Sequence, residues 1–125
     1  MYQPKYFSLN EFDSPDSPNS GELMCPDFLE KLDKARSFSS VPFVITSGYR
    51  TKAYLQDLLN RGYKASKNSA HLQGKAADIA AADSRTRYII LQSLIKAGFH
   101  RIGISSSFIH CDTATDRDGQ LVWTY

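Results

Sequence analysis

Ser69-Ala70-His71-Leu72-Gln73-Gly74-Lys75-Ala76-Ala77-Asp78 is the stretch on which the reading of this chain turns. Its first half is polar and broken by Gly74, as a loop is. Its second half runs on through Ile79 to Ala80, and Ala76–Ala80 reads as a strand of small residues. Strand side chains alternate, so Ala76, Asp78 and Ala80 share one face. The alanines keep space open around that carboxylate, and His71 precedes it on the glycine-bearing loop.

Upstream of this stretch, residues 1–22 contain FSLNEFDSPDSPNSGE and show little periodicity. They read as an irregular segment laid over the domain, anchored by Phe7, Leu9 and Phe12. Pro26 suits a first helical turn, Asp27 and Glu30 favour its positive end, and Phe28, Leu29, Leu32 and Ala35 recur at helical spacing until about Ser37. Val41–Thr46 (VPFVIT) reads as a buried strand closed by Ser47-Gly48. Thr51 is placed to cap a second helix, with Tyr54, Leu55, Leu58 and Leu59 on one face and Arg61-Gly62 at its close.

Downstream, Ser84 is expected to cap a third helix whose core face carries Tyr88, Leu91 and Ile95, with Ile89 and Leu94 beside them. Gly98 ends it. Arg101–Ile104, Phe108–Asp112 and Leu121–Tyr125 are strand candidates, and Asp116-Arg117-Asp118-Gly119 reads as a hairpin turn joining the last two. Helices lead and strands close the order. The expected class is therefore α+β, a small mostly antiparallel sheet with helices packed on it, in one domain over 1–125.

Composition narrows the function classes. The chain has 125 residues, enough for a core without staples, and 42% hydrophobic with 22% charged residues is ordinary for a globular protein. Fifteen Lys and Arg against thirteen Asp and Glu leave +2, too balanced for a nucleic-acid or anionic-lipid footprint. No apolar run approaches the ~20 residues of a membrane span. MYQPKYFSLN has no apolar h-region, so no secretory signal is read there. Cys25 and Cys111 are expected as two reduced thiols rather than a bridge.

The chemistry rests on few residues. Of three histidines, His100 is expected at the surface, whereas His71 and His110 sit near carboxylates. His110 and Asp112 lie two apart on a strand and project from the same face, with Cys111 turned to the core. Two imidazoles and one carboxylate make a three-ligand zinc set with a fourth position for water. The bland reading is that Asp78 pairs with a cation such as Lys75 and the histidines are surface groups; the spacing alone does not decide. Lys64, Lys67 and Lys75 give a basic loop, either merely solvated or suited to a carboxylate-bearing peptide.

The motif S-x-H-x-x-G-x-A-x-D over Ser69–Asp78 resembles the first zinc motif of the D-Ala-D-Ala metallopeptidase family, relatives of lysostaphin and of the hedgehog signalling domain. Ser47-Gly48-Tyr49-Arg50 resembles that family's S-G-[YF]-R segment. Gly103-Ile104 and Phe108-Ile109-His110-Cys111-Asp112-Thr113, with Trp123 beyond, resemble its ending. The matching blocks run from about Phe7 to Trp123. They are most similar to the compact branch found in phage lysis proteins and bacterial murein endopeptidases.

The resemblance implies a hedgehog/DD-peptidase-like fold, with zinc on His71, Asp78 and His110. It implies that Arg50 holds a substrate carboxylate or a carbonyl oxygen. Ser69 falls on the motif serine, as a substrate contact or loop cap, and Tyr49 and Trp123 are expected as substrate walls. The implied activity is hydrolysis of amide bonds in peptidoglycan stems or crosslinks. The small size and the absence of a leader fit a phage-encoded protein released at lysis or carried in the virion and acting on the cell wall, with a cytoplasmic protein as the alternative; a monomer without nucleic-acid partners is expected.

One departure stands out. Many relatives carry a general base three residues before the last histidine ligand, where this chain has Ser107. Asp112 is the substitute expected from strand alternation, as base or as support for Arg50 or a ligand. Two alternatives follow: a carboxypeptidase trimming terminal D-Ala rather than an endopeptidase, and a zinc-containing binding module without catalysis.

Overall fold

The computed structural model describes residues 2–125. Three α-helices, α1 (Pro26–Phe38), α2 (Lys52–Asn60) and α3 (Ser84–Ala97), accompany five strands. The strands are β1 (Ile45–Ser47), β2 (Ala76–Ala80), β3 (Arg101–Ile104), β4 (Phe108–Asp112) and β5 (Leu121–Thr124). They form one sheet in the order β1-β2-β4-β3-β5. The first four are antiparallel neighbours, and β5 runs parallel to β3. The class is α+β, as the order of elements implies.

Alternation along β2 and β4 gives the sheet two different faces. Ala77, Ile79, Ile109 and Cys111 point into the main core with Ile102 of β3, and α1 and α3 cover them. Phe28, Leu29 and Leu32 of α1 are at most 2% exposed, and such full burial is worth about 1.5–3 kcal/mol per side chain. Asp78, His110 and Asp112 point to the opposite face, which stays open as a cleft. A one-residue slip of β4 would exchange His110 for Cys111 and destroy that division.

Helix starts follow local chemistry. Pro26 opens α1, and the Thr51 hydroxyl accepts from Tyr54 N–H at the start of α2 (3.0 Å). At α3 the cap is Asp83 rather than the expected Ser84: Asp83 Oδ1 accepts from Thr86 N–H at 2.8 Å, and Ser84 is already helical. Gly98 ends α3 in the left-handed conformation, φ 99°, as a C-terminal glycine does.

Two expectations about the later elements are corrected. The core face of α3 is Ile90, Ser93, Leu94 and Ala97, while Tyr88 and Ile95 are 63% and 55% exposed. The segment YIILQSLI is apolar nearly all round, so two stripes fit its spacing and packing against α1 selects one. The hairpin of β4 with β5 is also not formed. β4 already has β2 and β3 on its two sides, so β5 reverses direction as a hairpin would but is carried past β3 to the sheet edge.

The strand expected over Val41–Thr46 is only Ile45–Ser47, Phe43 being buried ahead of it. The N-terminal segment holds two single turns of 3₁₀ helix, Leu9–Phe12 and Ser20–Leu23, with Phe7 and Phe12 buried as expected. Its second anchor is Asp33 of α1. That buried carboxylate accepts from Tyr2 OH at 2.5 Å, Lys5 N–H at 2.7 Å and Tyr6 N–H at 3.1 Å.

Candidate metal centre

Three elements bring His71, Asp78 and His110 together. Asp78 and His110 are direct cross-strand partners in the β2–β4 ladder, so antiparallel register places their side chains side by side. His71 sits in a single 3₁₀ turn, Ala70–Gln73, whose start is tied by Ser69: its hydroxyl accepts from His71 N–H at 3.1 Å. Gly74 ends that turn at φ 69°, where a side chain would strike the Leu23 carbonyl, its Cβ only 2.5 Å away. Glycine is therefore required both by conformation and by space.

One ligand atom from each of the three residues lies within 4.8 Å of the others. His71 Nε2 is 3.4 Å and His110 Nδ1 is 2.9 Å from Asp78 Oδ1. The outer nitrogens are occupied. His71 Nδ1–H donates to the Gly48 carbonyl at 2.7 Å, which leaves Nε2 as a bare lone pair aimed at the cleft. His110 Nε2 bonds Asp112 Oδ2 at 2.8 Å, which points Nδ1 at Asp78. Such outward hydrogen bonds orient metal-binding imidazoles.

Electrostatics agree with this division. Burial lowers the pKa of His71 and keeps its ring neutral. Burial opposes charge on His110 too, but its hydrogen bonds to Asp112 and Asp78 prevail and raise its pKa. Burial would raise Asp78, yet the hydrogen bond from His110 outweighs it and holds the carboxyl well below the usual range. The result is a buried anion with two imidazole nitrogens turned toward it, a donor set for a divalent cation.

The remaining expected residues divide into three groups. Arg50 reaches the cleft: its Nε donates to Ser47 Oγ at 3.1 Å and its Nη2 lies 3.5 Å from Asp78 Oδ2. Trp123 also lines the cleft and packs against the His110 ring at 5.6 Å between centroids. Tyr49 is not a wall of the cavity. Its N–H bonds the Phe12 carbonyl at 2.8 Å and its ring packs on the main core, because neighbours in extended chain face opposite ways and Arg50 takes the cleft side.

Asp112 has different partners from those expected of a base facing the ligands. Its Oδ2 holds His110, while its Oδ1 accepts from Arg101 Nε at 2.7 Å and Ala114 N–H at 3.1 Å. The Ser107 side chain does not line the cavity, and its carbonyl accepts from Ala81 N–H. Arg101 went unread in the sequence. Local spacing carries no signal for it: Arg101 lies two residues before Gly103 on β3, and only the strand register sets Gly103 opposite His110. Arg101 ties the loop before β5 as well, through the Asp118 carbonyl, and its guanidinium stacks 5.1 Å from Trp123. Tyr125 and Phe108 complete that wall, 5.3 Å apart.

The family model described as Peptidase M15 matches residues 5–112. The chain belongs to the M15 peptidase family. That agrees with the resemblance carried by Ser69–Asp78 and Phe108–Thr113. The fold is similar to the crystal structure of the L-Ala D-Glu endopeptidase ChiX of Serratia marcescens, with a TM-score of 0.55 and 23% identity. The match covers 61% of this chain and 62% of that one, so it spans less than two thirds of the relative. No match was found among curated protein sequences. All three ligand candidates of this M15 chain lie inside the matched segment, and β5 lies beyond it.

Proposed function

We propose that this chain is a zinc-dependent peptidase that hydrolyses amide bonds in the peptide stems or crosslinks of bacterial peptidoglycan. The observation that carries the reading is the convergence of His71, Asp78 and His110 on the floor of an open groove in an M15 peptidase. The donor set suits zinc. Ligands ~2.0–2.1 Å from a tetrahedral ion lie ~3.3 Å apart, close to the His71–Asp78 separation of 3.4 Å. An L-Ala D-Glu endopeptidase among the similar folds supports a peptide of mixed stereochemistry as substrate.

When bound, zinc would supply carbonyl polarisation and a water of pKa lowered toward ~7. The chain's own groups do the rest. Gly48 and Asp112 hold the two imidazoles in the tautomers that face the ion site. Arg50 is fixed by Ser47 with its guanidinium at the cleft, where it orients a substrate carbonyl or carboxylate. Ser69 shapes the turn carrying His71 and also lines the cleft, within reach of a bound substrate. Among the described residues, Asp112 is the one other carboxylate lining this cavity. With both oxygens engaged it acts as a positioning residue, and taking a proton from water would require its bond to His110 to rearrange.

Metal analysis coupled to digestion of purified muropeptides tests the reading. His71→Ala and Asp78→Ala are expected to lose both bound zinc and hydrolysis. Full activity in either variant would overturn it. Zinc retention with no turnover on any murein fragment would favour a binding module instead.

A further inference from the structure

Two cavities adjoin at the candidate metal centre. The first, about 370 Å³, runs from Trp123 and Tyr125 across His110 to Asp78. The second, about 330 Å³, continues from Asp78 to Thr46 and Ser47 of β1 and on to Tyr54 and Tyr63. They share Arg50, Lys64, Ala65, Asp78 and Phe108. The two lie side by side on one face of the β1-β2-β4-β3-β5 sheet, their linings together drawing on all five strands, with the three ligand candidates near their junction.

Arg50 decides what this groove can do. An exopeptidase ends its pocket at the group that clamps the terminal carboxylate. Here a second cavity lies beyond Arg50, which borders both lobes. Chain therefore fits on both sides of the scissile amide. We infer that the groove binds an extended peptide through both lobes and that the enzyme cuts internal bonds rather than trimming a terminal residue. This rests on the peptidase reading above and adds the β1 lobe, with Tyr63 at its rim, as a specificity-determining subsite.

The test uses three synthetic peptides of alternating L and D residues. One extends two residues on each side of the scissile amide, and the others lack the extension on one side. Trp123, the single tryptophan, lines the first lobe and reports binding to the metal-free chain by its fluorescence. The full peptide is expected to bind at least about tenfold more tightly than either truncated one, and with zinc to show at least about tenfold higher kcat/KM. Tyr63→Ala, at a 59% exposed position that the fold does not need, is expected to erase the gain from one extension and leave the other intact. Equal affinities for the three peptides, or release of only a terminal residue, would overturn the inference while leaving the peptidase reading intact. A tenfold affinity difference without hydrolysis would remove the peptidase reading and keep the groove assignment.

Discussion

A buried imidazole held by carboxylates at both nitrogens is an unusual arrangement, and His110 has it. Asp112 anchors it from behind, and Arg101 anchors Asp112. Asp112→Asn should then weaken zinc binding by about 10–100-fold, as loss of such an outer partner does, and lower activity with it. A base role predicts the opposite pattern: zinc affinity unchanged, with the acidic limb of the kcat/KM profile abolished. Competitive chelator titration and a pH profile on the same variant separate the two. Gly103 gives a second test. A Cβ there would lie 2.5 Å from Trp123 Nε1, so Gly103→Ala should displace the indole, shift its emission and weaken peptide binding several-fold, with zinc content unchanged. At this scale the ligand candidates were legible through the resemblance of Ser69–Asp78 and Phe108–Thr113 to a known family, since their spacing alone does not decide. Arg101 and Tyr125 were not, because their roles come from strand order, which no local spacing encodes.

Among the elements, α1 does two jobs. Its apolar stripe meets the sheet, and that stripe was readable from Phe28, Leu29, Leu32 and Ala35. Its buried Asp33, which breaks the apolar pattern, receives three donors from residues 2–6. Asp33→Ala should cost about 3 kcal/mol, since three donors lose a charged acceptor, and a urea melt would show it. The Tyr2 phenol is pushed up to about 12 by its hydrogen bond to Asp33. A raised phenol favours the neutral form in the folded chain, so its stabilisation is fully present below pH ~10 and is lost as pH rises through ~12. Thermal midpoints from pH 9 to 12 should fall more steeply for the parent than for Tyr2→Phe. β5 shows where pattern reading stops. The Asp116–Gly119 turn correctly signalled a reversal of direction, but the partner depends on which edges β2 and β3 had already filled.

At the level of the whole molecule, an ion bound only by the folded chain adds stability by mass action. Free zinc at a thousand times its Kd is worth about 4 kcal/mol. A chelator should therefore lower the thermal midpoint of the parent chain, and Asp78→Ala should show no zinc dependence in the same scan. The division of the sheet into a packed face and an open face was legible from alternation in Ala76–Ala80 and Phe108–Asp112.

The last strand has a consequence of its own. The three ligand candidates are complete by residue 110 and the family match stops at 112, yet Trp123 and Tyr125 arrive on a separate ribbon added at the rim. Under the proposed reading, the ligand candidates and one wall of the peptide site thus come from different stretches of the polypeptide. Exchanging residues 121–125 for another sequence able to lie along β3, with the Ala114 and Asp118 backbone contacts to Asp112 and Arg101 kept, would re-tool that wall without touching the ligand candidates.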